Sequence, residues 1–126
     1  MKKYAVGLLI LLFIAGLTAL SQWYTRSTVK EMQTQLDTMI RLIEAEQFDE
    51  SLAQLKETTD AFSAKKRLMA AYSSHLRLDE VGASLGRLKA YLKKESANDG
   101  MAEIYALQNR LEVILHEERI TLENIL

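Results

Sequence analysis

Residues 4–20 have the sequence YAVGLLILLFIAGLTAL and contain no charged residue. The next four residues are also uncharged, so the stretch is long enough for a helix that crosses the hydrocarbon core of a bilayer. Lys2 and Lys3 precede it, and by the positive-inside rule they are expected to stay in the cytoplasm. Trp23 and Tyr24 close it at the other end, where aromatic side chains favour the headgroup region. The N-terminal segment therefore predicts a membrane anchor.

This anchor divides the chain into two predicted parts, the anchor over residues 1–24 and an extracytoplasmic helical domain over residues 25–126. The expected protein is a single-pass protein of the cell membrane with a cytoplasmic N-terminus. A cleaved signal peptide is the alternative, because Ala19-Leu20-Ser21 is an acceptable cleavage site. The length of the apolar segment and the aromatic pair at its end favour an anchor that is retained.

Beyond the anchor, apolar residues recur at the spacing of three and four that is typical of amphipathic α-helices. Four such stripes follow one another: Val29, Met32, Leu36, Met39 and Ile43; Leu52, Leu55, Thr59, Phe62 and Met69; Val81, Leu85, Leu88 and Leu92; and Ile104, Leu107, Leu111, Ile114 and Leu115. No breaker separates the first stripe from the anchor, so the two are predicted to form one continuous helix.

Three breaks separate the predicted helices, near residues 46–49, 73–75 and 95–100. Asp49 and Asp79 are the predicted N-caps of the second and third helices. The last break is the clearest, because it ends in the turn-forming sequence Asn-Asp-Gly. Short loops between amphipathic helices favour antiparallel neighbours. The predicted fold class is all-α, with an N-terminal transmembrane helix followed by an antiparallel four-helix bundle.

Charge is segregated along the predicted domain. Residues 27–60 carry a net charge of −5, residues 61–94 carry +6 and residues 95–126 carry −5. The basic middle segment has two interpretations, a surface for anionic headgroups or wall polymers, or a partner for the acidic helices of the same bundle. The second is favoured because the charge of the whole chain is only −1. That balance and the expected location also argue against nucleic-acid binding.

Several classes of function find no support in the residues present. The chain has no cysteine, which excludes disulfides, thiolate metal sites and cysteine nucleophiles. It has no nucleophile elbow and no glycine-rich phosphate loop, and its acidic residues lie on the polar faces of predicted helices. We therefore predict no catalytic residues, no cofactor and no metal site.

His75 and His116 are the basis of a second hypothesis. In an antiparallel bundle both are expected at the end nearest the membrane, with several carboxylates around them. Two histidines and carboxylates form a conceivable metal-binding or pH-sensing site. The competing interpretation, two solvated histidines near helix ends, is favoured because no metal-ligand spacing such as HExxH is present.

Two further features of the predicted domain have open interpretations. Gly82 and Gly86 form a small-residue patch on the third helix, which indicates either close approach of another helix or chance. The chain ends on a candidate interaction tail of four apolar residues: Ile120, Leu122, Ile125 and Leu126. Exposed together they would form an unusual apolar patch, so the tail is expected to pack on the base of its own bundle or to contact the bilayer or a partner.

The segments LGRLKAYL (residues 85–92) and TLENIL (residues 121–126), with the lysine pair before the apolar span, resemble the family called domain of unknown function 4363. The resemblance implies a short membrane-anchored helical protein of a Gram-positive bacterium. It covers nearly the whole chain, but none of its motifs is chemically specific. Where the family often has tryptophans in the second helix, this chain has Phe48 and Phe62, a difference expected to change core packing.

Together these features favour a non-enzymatic interaction or scaffold module, tethered to the membrane and working with a protein partner outside the cytoplasm. The alternative is a sensor or binding protein for a small ligand or metal that uses His75 and His116.

Overall fold

The computed structural model describes residues 2–70 and 74–125, with side chains described up to residue 117, and these parts hold four α-helices and no strand. The helices are α1 (Lys2–Glu44), α2 (Phe48–Ala70), α3 (His75–Lys93) and α4 (Ala97–Ile125). Each helix packs on the next in the chain, and α4 returns to pack on α1. The predicted all-α fold, an antiparallel four-helix bundle behind a long apolar helix, is confirmed.

α1 is a single helix of 43 residues, as the absence of a breaker between anchor and first stripe predicted. Its first five turns project exposed apolar side chains and do not contribute to the core. By length and composition, α1 is able to cross a membrane, and signal sequences share these two properties. From Ser21 onward one face of the same helix is buried in the bundle.

The core of the bundle consists of the four predicted stripes, with small departures. All five residues of the first stripe and all four of the third are buried, as are the first four of the last. In α2 the buried threonine is Thr58, whereas the predicted Thr59 is only half-buried. Phe62 is 3% exposed, and Phe48 is partly buried and packs against the core.

The second helical hairpin repeats the burial pattern of the first at an offset of 49 residues. The pairs on α1 and α3 are Val29 and Leu78, Met32 and Val81, Leu36 and Leu85, Met39 and Leu88, and Ile43 and Leu92. The pairs on α2 and α4 are Ser51 and Gly100, Leu55 and Ile104, Thr58 and Leu107, and Phe62 and Leu111. Equal burial of these nine pairs at equal spacing makes the bundle a pair of similar hairpins.

The helix ends correct the predicted caps. Asp49 lies in the first turn of α2 and Asp79 lies inside α3, which begins at His75, so neither is an N-cap. The predicted Asn-Asp-Gly turn is likewise the first turn of α4, which begins at Ala97. The aspartates at positions 49 and 99 suit the first turn of a helix as well as a loop, because carboxylates stabilise the positive end of the helix dipole.

The two connections α1–α2 and α3–α4 are closed by the same backbone motif instead. Gln47 N–H donates to Leu42 O at 2.8 Å, and its counterpart Ser96 N–H donates to Tyr91 O at 3.0 Å. Each bond closes a Schellman motif around one residue with positive φ, Glu46 at 58° and Glu95 at 55°. Glutamate is strained at this position relative to glycine, so residue type does not indicate the motif within the two predicted breaks.

The glycines also differ from the small-residue interpretation. A Cβ atom on Gly86 would meet nothing within 4 Å, and one on Gly82 would only touch Phe62 at 3.9 Å. None of the described residues approaches this patch closely enough to require glycine. The glycine in close contact is Gly100, where a Cβ would lie 3.4 Å from Leu92 and 3.7 Å from Ile43.

We therefore expect Gly86→Ala to stabilise the bundle by about 1 kcal/mol, because alanine restricts the unfolded chain and meets no neighbour in the fold. Thermal unfolding of the full chain in detergent, followed by circular dichroism, is the measurement. Gly100→Val is the matched comparison and should destabilise, since its side chain would press on Leu92 and Ile43. A Gly86→Ala protein that melts lower than the parent would restore the interpretation of close helix approach.

Candidate interaction surface

About half of the basic side chains in the middle segment, residues 61–94, form ion pairs with another helix. Lys65 Nζ lies 3.1 Å from Glu31 Oε2, and Arg77 Nη2 lies 2.9 Å from Glu117 Oε1. Arg87 Nε lies 3.1 Å from Glu103 Oε1. These pairs join the basic segment to the acidic first and last segments, as the structural interpretation of the charge pattern predicted. Being on the surface and screened by solvent, each contributes little to the stability of the fold.

A fourth pair joins α2 to α3 near the end of the bundle from which the apolar segment emerges. Lys66 Nζ lies 2.8 Å from Asp79 Oδ1, and this hydrogen bond lowers the pKa of the Asp79 carboxyl, with a smaller contribution from His75. Because the pKa is lower in the folded state, the stabilising contribution is present above the ordinary carboxyl pKa and is lost as pH falls below it. The hydrogen bond from Arg77 to Glu117 raises the pKa of the guanidinium, which stays charged throughout.

Two cations of the basic segment, Lys89 and Lys93, have no ion-pair partner among the residues that the structure describes. Both line a groove of about 530 Å³ between α2 and α3. We call this the distal groove, and its lining residues are Leu52, Ala53, Leu55, Lys56, Thr59, Asp60, Lys89 and Lys93. Most of its exposed lining is apolar, so it combines an apolar floor with a basic rim.

The repeat explains why the distal groove is open. At an offset of 49 residues the counterpart of Lys89 is Ile40, which packs against the core beside α4. The counterpart of Lys93 is Glu44, so the equivalent place between α1 and α4 also lacks the basic rim. Lysine at position 89 keeps its ammonium group in water, because burying a charge without a partner is costly. The floor of the groove is therefore left uncovered.

A second groove, of about 300 Å³, lies between α3 and α4. It is lined by Arg77 and Glu80, which pair with each other at 3.5 Å, and by Arg110, which donates to Ser84 Oγ at 3.0 Å. Its charged side chains thus already have partners within the bundle. The distal groove offers unpaired charge beside apolar surface, the combination that a partner can use.

The position of the distal groove along the bundle follows from the helix register. The bond between Lys65 and Glu31 places residue 60 of α2 level with residue 36 of α1, and residue 52 level with residue 44. At 1.5 Å per residue, the groove lies roughly 24 to 36 Å beyond Leu20 along α1. It is at the end of the bundle farthest from the apolar segment.

The two histidines lie at the opposite end, as predicted. His75 begins α3 and His116 is on the last turns of α4, close to the pair formed by Arg77 and Glu117. Among the residues that the structure describes, no three His, Asp or Glu side chains are grouped to hold a metal ion. The structure thus places the histidines at one end without assembling a ligand set around them.

We expect no stoichiometric zinc binding by the full chain, because two histidines alone leave a tetrahedral ion without its remaining protein ligands. Isothermal titration of the detergent-solubilised protein with zinc is the measurement. Stoichiometric binding that is lost in both His75→Ala and His116→Ala would contradict this expectation and favour the sensor hypothesis. Lys94→Ala, an exposed change at the far end of the bundle, is the control.

Trp23 and Tyr24 lie at the same end of the bundle as the histidines, and α4 carries the tail towards that end, whereas Lys2 and Lys3 lie at the other end of the apolar segment. Trp23 is 65% exposed, while Tyr24 packs partly on the core, and Lys2 and Lys3 begin α1. The tail is not a separate segment, because α4 continues as a helix to Ile125. The side chains of the four tail residues, Ile120, Leu122, Ile125 and Leu126, lie outside the described part of the chain, so their packing stays a prediction.

Together these features define a class of protein, a bundle of two similar helical hairpins whose first helix extends into a long apolar segment. The chain belongs to the family described as a domain of unknown function (DUF4363), whose family model matches residues 19–125. This confirms the resemblance seen in the sequence. No curated protein and no solved structure matches the chain.

Proposed function

We propose that the protein is a membrane-anchored, non-enzymatic interaction module. In this proposal α1 spans the cell membrane, the bundle lies outside the cytoplasm, and the distal groove binds a segment of a partner protein. The observation that carries the proposal is the groove itself, an open apolar floor beside two lysines that the bundle leaves unpaired. The exposed apolar start of α1, preceded by Lys2 and Lys3, supports the anchoring and its direction.

The chemistry of the groove specifies the bound segment. Leu52 and Leu55 offer apolar contact, so the segment should carry apolar side chains that fit between α2 and α3. Lys89 and Lys93 are one helical turn apart on the rim, so acidic side chains at a similar spacing would pair with both. An acidic amphipathic segment of a partner protein meets both requirements.

The distance of the groove from the apolar segment supports the proposal that it binds a protein partner and not the bilayer in which α1 is anchored. With α1 across the membrane, the groove stands roughly 18 to 32 Å beyond the headgroup-facing Trp23 and Tyr24. The field of anionic lipids falls off within about 8 Å at physiological salt. Lipid headgroups of the same membrane therefore do not reach Lys89 and Lys93.

Site-specific cross-linking in the membranes of the source cells tests the proposal. Ala53, an exposed residue lining the groove, is replaced by the photoreactive p-benzoylphenylalanine. Ala102 is the matched control, because it is the exposed alanine at the equivalent position of the second hairpin. We expect a defined protein cross-link from position 53 that position 102 does not give.

Charge reversal makes the test specific for the proposed chemistry. In the Lys89→Glu/Lys93→Glu variant the cross-link from position 53 should weaken on the order of tenfold, since two charge pairs become repulsive. Lys94→Glu, an exposed change outside the groove, should leave it unchanged. Equal cross-linking from positions 53 and 102, or a cross-link indifferent to the double reversal, would overturn the proposal.

A further inference from the structure

The base of the bundle carries an apolar pair that the core does not use. Leu68, near the end of α2, is 58% exposed, and Leu76, at the start of α3, is 66% exposed. Among the described side chains beyond residue 24, the only other exposed large apolar residue is Tyr105. We call Leu68 and Leu76 the basal leucine pair. Two of three such residues therefore lie at one end of the bundle, the end from which the apolar segment emerges.

The ion pairs between helices give the height of the basal leucine pair. The bond between Lys65 and Glu31 places Leu68 level with Thr28 of α1. The bond between Lys66 and Asp79 places Leu76 level with Met69 of α2, hence one residue lower than Leu68. Both leucines thus lie within roughly 8 Å, along the axis, of Trp23.

The repeat gives the same height independently. Leu76 is the counterpart of Ser27 at an offset of 49 residues. Because α1 and α3 run in the same direction in two similar hairpins, counterparts lie at similar heights in the bundle. Ser27 is four residues beyond Trp23 on α1, which is about 6 Å along the axis.

Cations at this level complete the surface. Arg26 and Lys30 on α1 and Arg67 on α2 are exposed, and none has an ion-pair partner in the described ranges. The nearby acids Asp79 and Glu117 are already paired with Lys66 and Arg77. Unpaired cations beside exposed leucines are the combination that binds the interface of an anionic membrane.

We infer that the basal leucine pair is a second membrane contact, through which the base of the bundle rests in the interfacial region of the bilayer that α1 spans. This inference rests on the anchoring proposed above. Apolar side chains gain free energy by leaving water for the interfacial region, and the three cations, which lie at similar heights, are placed to pair with lipid phosphates there. The bundle is thus held at two places, by α1 and by the basal leucine pair at the end of α2 and the start of α3.

The absence of cysteine allows a direct test by single-cysteine labelling. Leu68→Cys, Leu76→Cys and Tyr105→Cys are each labelled with an environment-sensitive fluorophore in the full chain. The proteins are placed in vesicles of phosphatidylcholine and phosphatidylglycerol, with and without brominated lipids that quench fluorescence on contact. Tyr105, 53% exposed, is the matched control, because α4 carries it to the distal end of the bundle.

We expect quenching at positions 68 and 76 to exceed that at position 105 by on the order of twofold or more, as for residues in the interfacial region. Trp23, the single tryptophan, reports the anchor in the same samples. If Trp23 is quenched but positions 68 and 76 are no more quenched than position 105, the second membrane contact is overturned and the anchor is not. Unquenched Trp23 would overturn both.

Discussion

Replacing Leu111 by aspartate should unfold the bundle. Leu111 is fully buried on α4 and belongs to the single core shared by all four helices. A carboxylate there would lose its hydration without gaining a partner, and the leucine contacts would be lost as well. We expect a cost above about 4 kcal/mol, which is comparable to the whole stability of a small domain.

The measurement is thermal unfolding of the full chain in detergent, followed by circular dichroism. Asn109→Asp is the control, since it places the same carboxylate on an exposed position of the same helix. The control should melt within a few degrees of the parent, whereas Leu111→Asp should show no cooperative transition. Its counterpart in the repeat, Phe62→Asp, should behave like Leu111→Asp. If Leu111→Asp and Phe62→Asp both melted cooperatively like the parent, the shared core would be contradicted.

Two arginines in the apolar start of α1 should release the protein from the membrane. Leu11 and Phe13 are more than 60% exposed in the isolated chain and lie in the middle of the uncharged segment. An arginine at the centre of a membrane span costs about 3 kcal/mol for insertion, so Leu11→Arg/Phe13→Arg should lose the anchor. The conservative Leu11→Ile/Phe13→Leu variant should remain in the membrane fraction.

Cell fractionation with intact-mass measurement distinguishes an anchor from a cleaved signal. The parent protein should be found in the membrane fraction at its full length of 126 residues. A soluble parent that begins at Gln22 would contradict the anchor and turn the apolar segment into a secretion signal. Full-length Leu11→Arg/Phe13→Arg protein that stays in the membrane fraction would contradict the span.

The sequence was sufficient to predict the core, because burial follows a helical period that a single chain displays. Val29, Leu36 and Ile43 lie on one stripe in the sequence and on one buried face in the fold. The same reasoning failed at the helix ends. Asp49 and Asp79 were predicted as caps, but they are acceptable residues within a first or second helical turn, and residue type alone does not distinguish the two.

The ends are closed by backbone hydrogen bonds around Glu46 and Glu95, and glutamate is not a residue that indicates positive φ. The repeat escaped prediction for a related reason. Its counterparts share burial but seldom identity, as with Ser51 and Gly100, so only the fold shows that they correspond.

The distal groove depends on which residues meet between two helices, which a single sequence does not state. Lys89 and Lys93 are polar residues of an amphipathic helix, and in the sequence they cannot be distinguished from Arg87, which pairs with Glu103. The repeat singles out position 89 once the fold is known, because the first hairpin has Ile40 at the equivalent place, packed against the core.

Because α1 is unbroken, the apolar segment and the first helix of the bundle move as one rigid rod. No proline interrupts the helix between the apolar segment and the loop at Glu46, so the bundle tip turns with the span. A change of about 10° in the tilt of the span would swing the distal groove sideways by about 5 Å. With α1 across the membrane, as proposed, a thicker or thinner bilayer changes the tilt of the span and with it the position of the distal groove. The basal leucine pair would resist tilting that lifts it out of the interface, while tilting in other directions would remain possible.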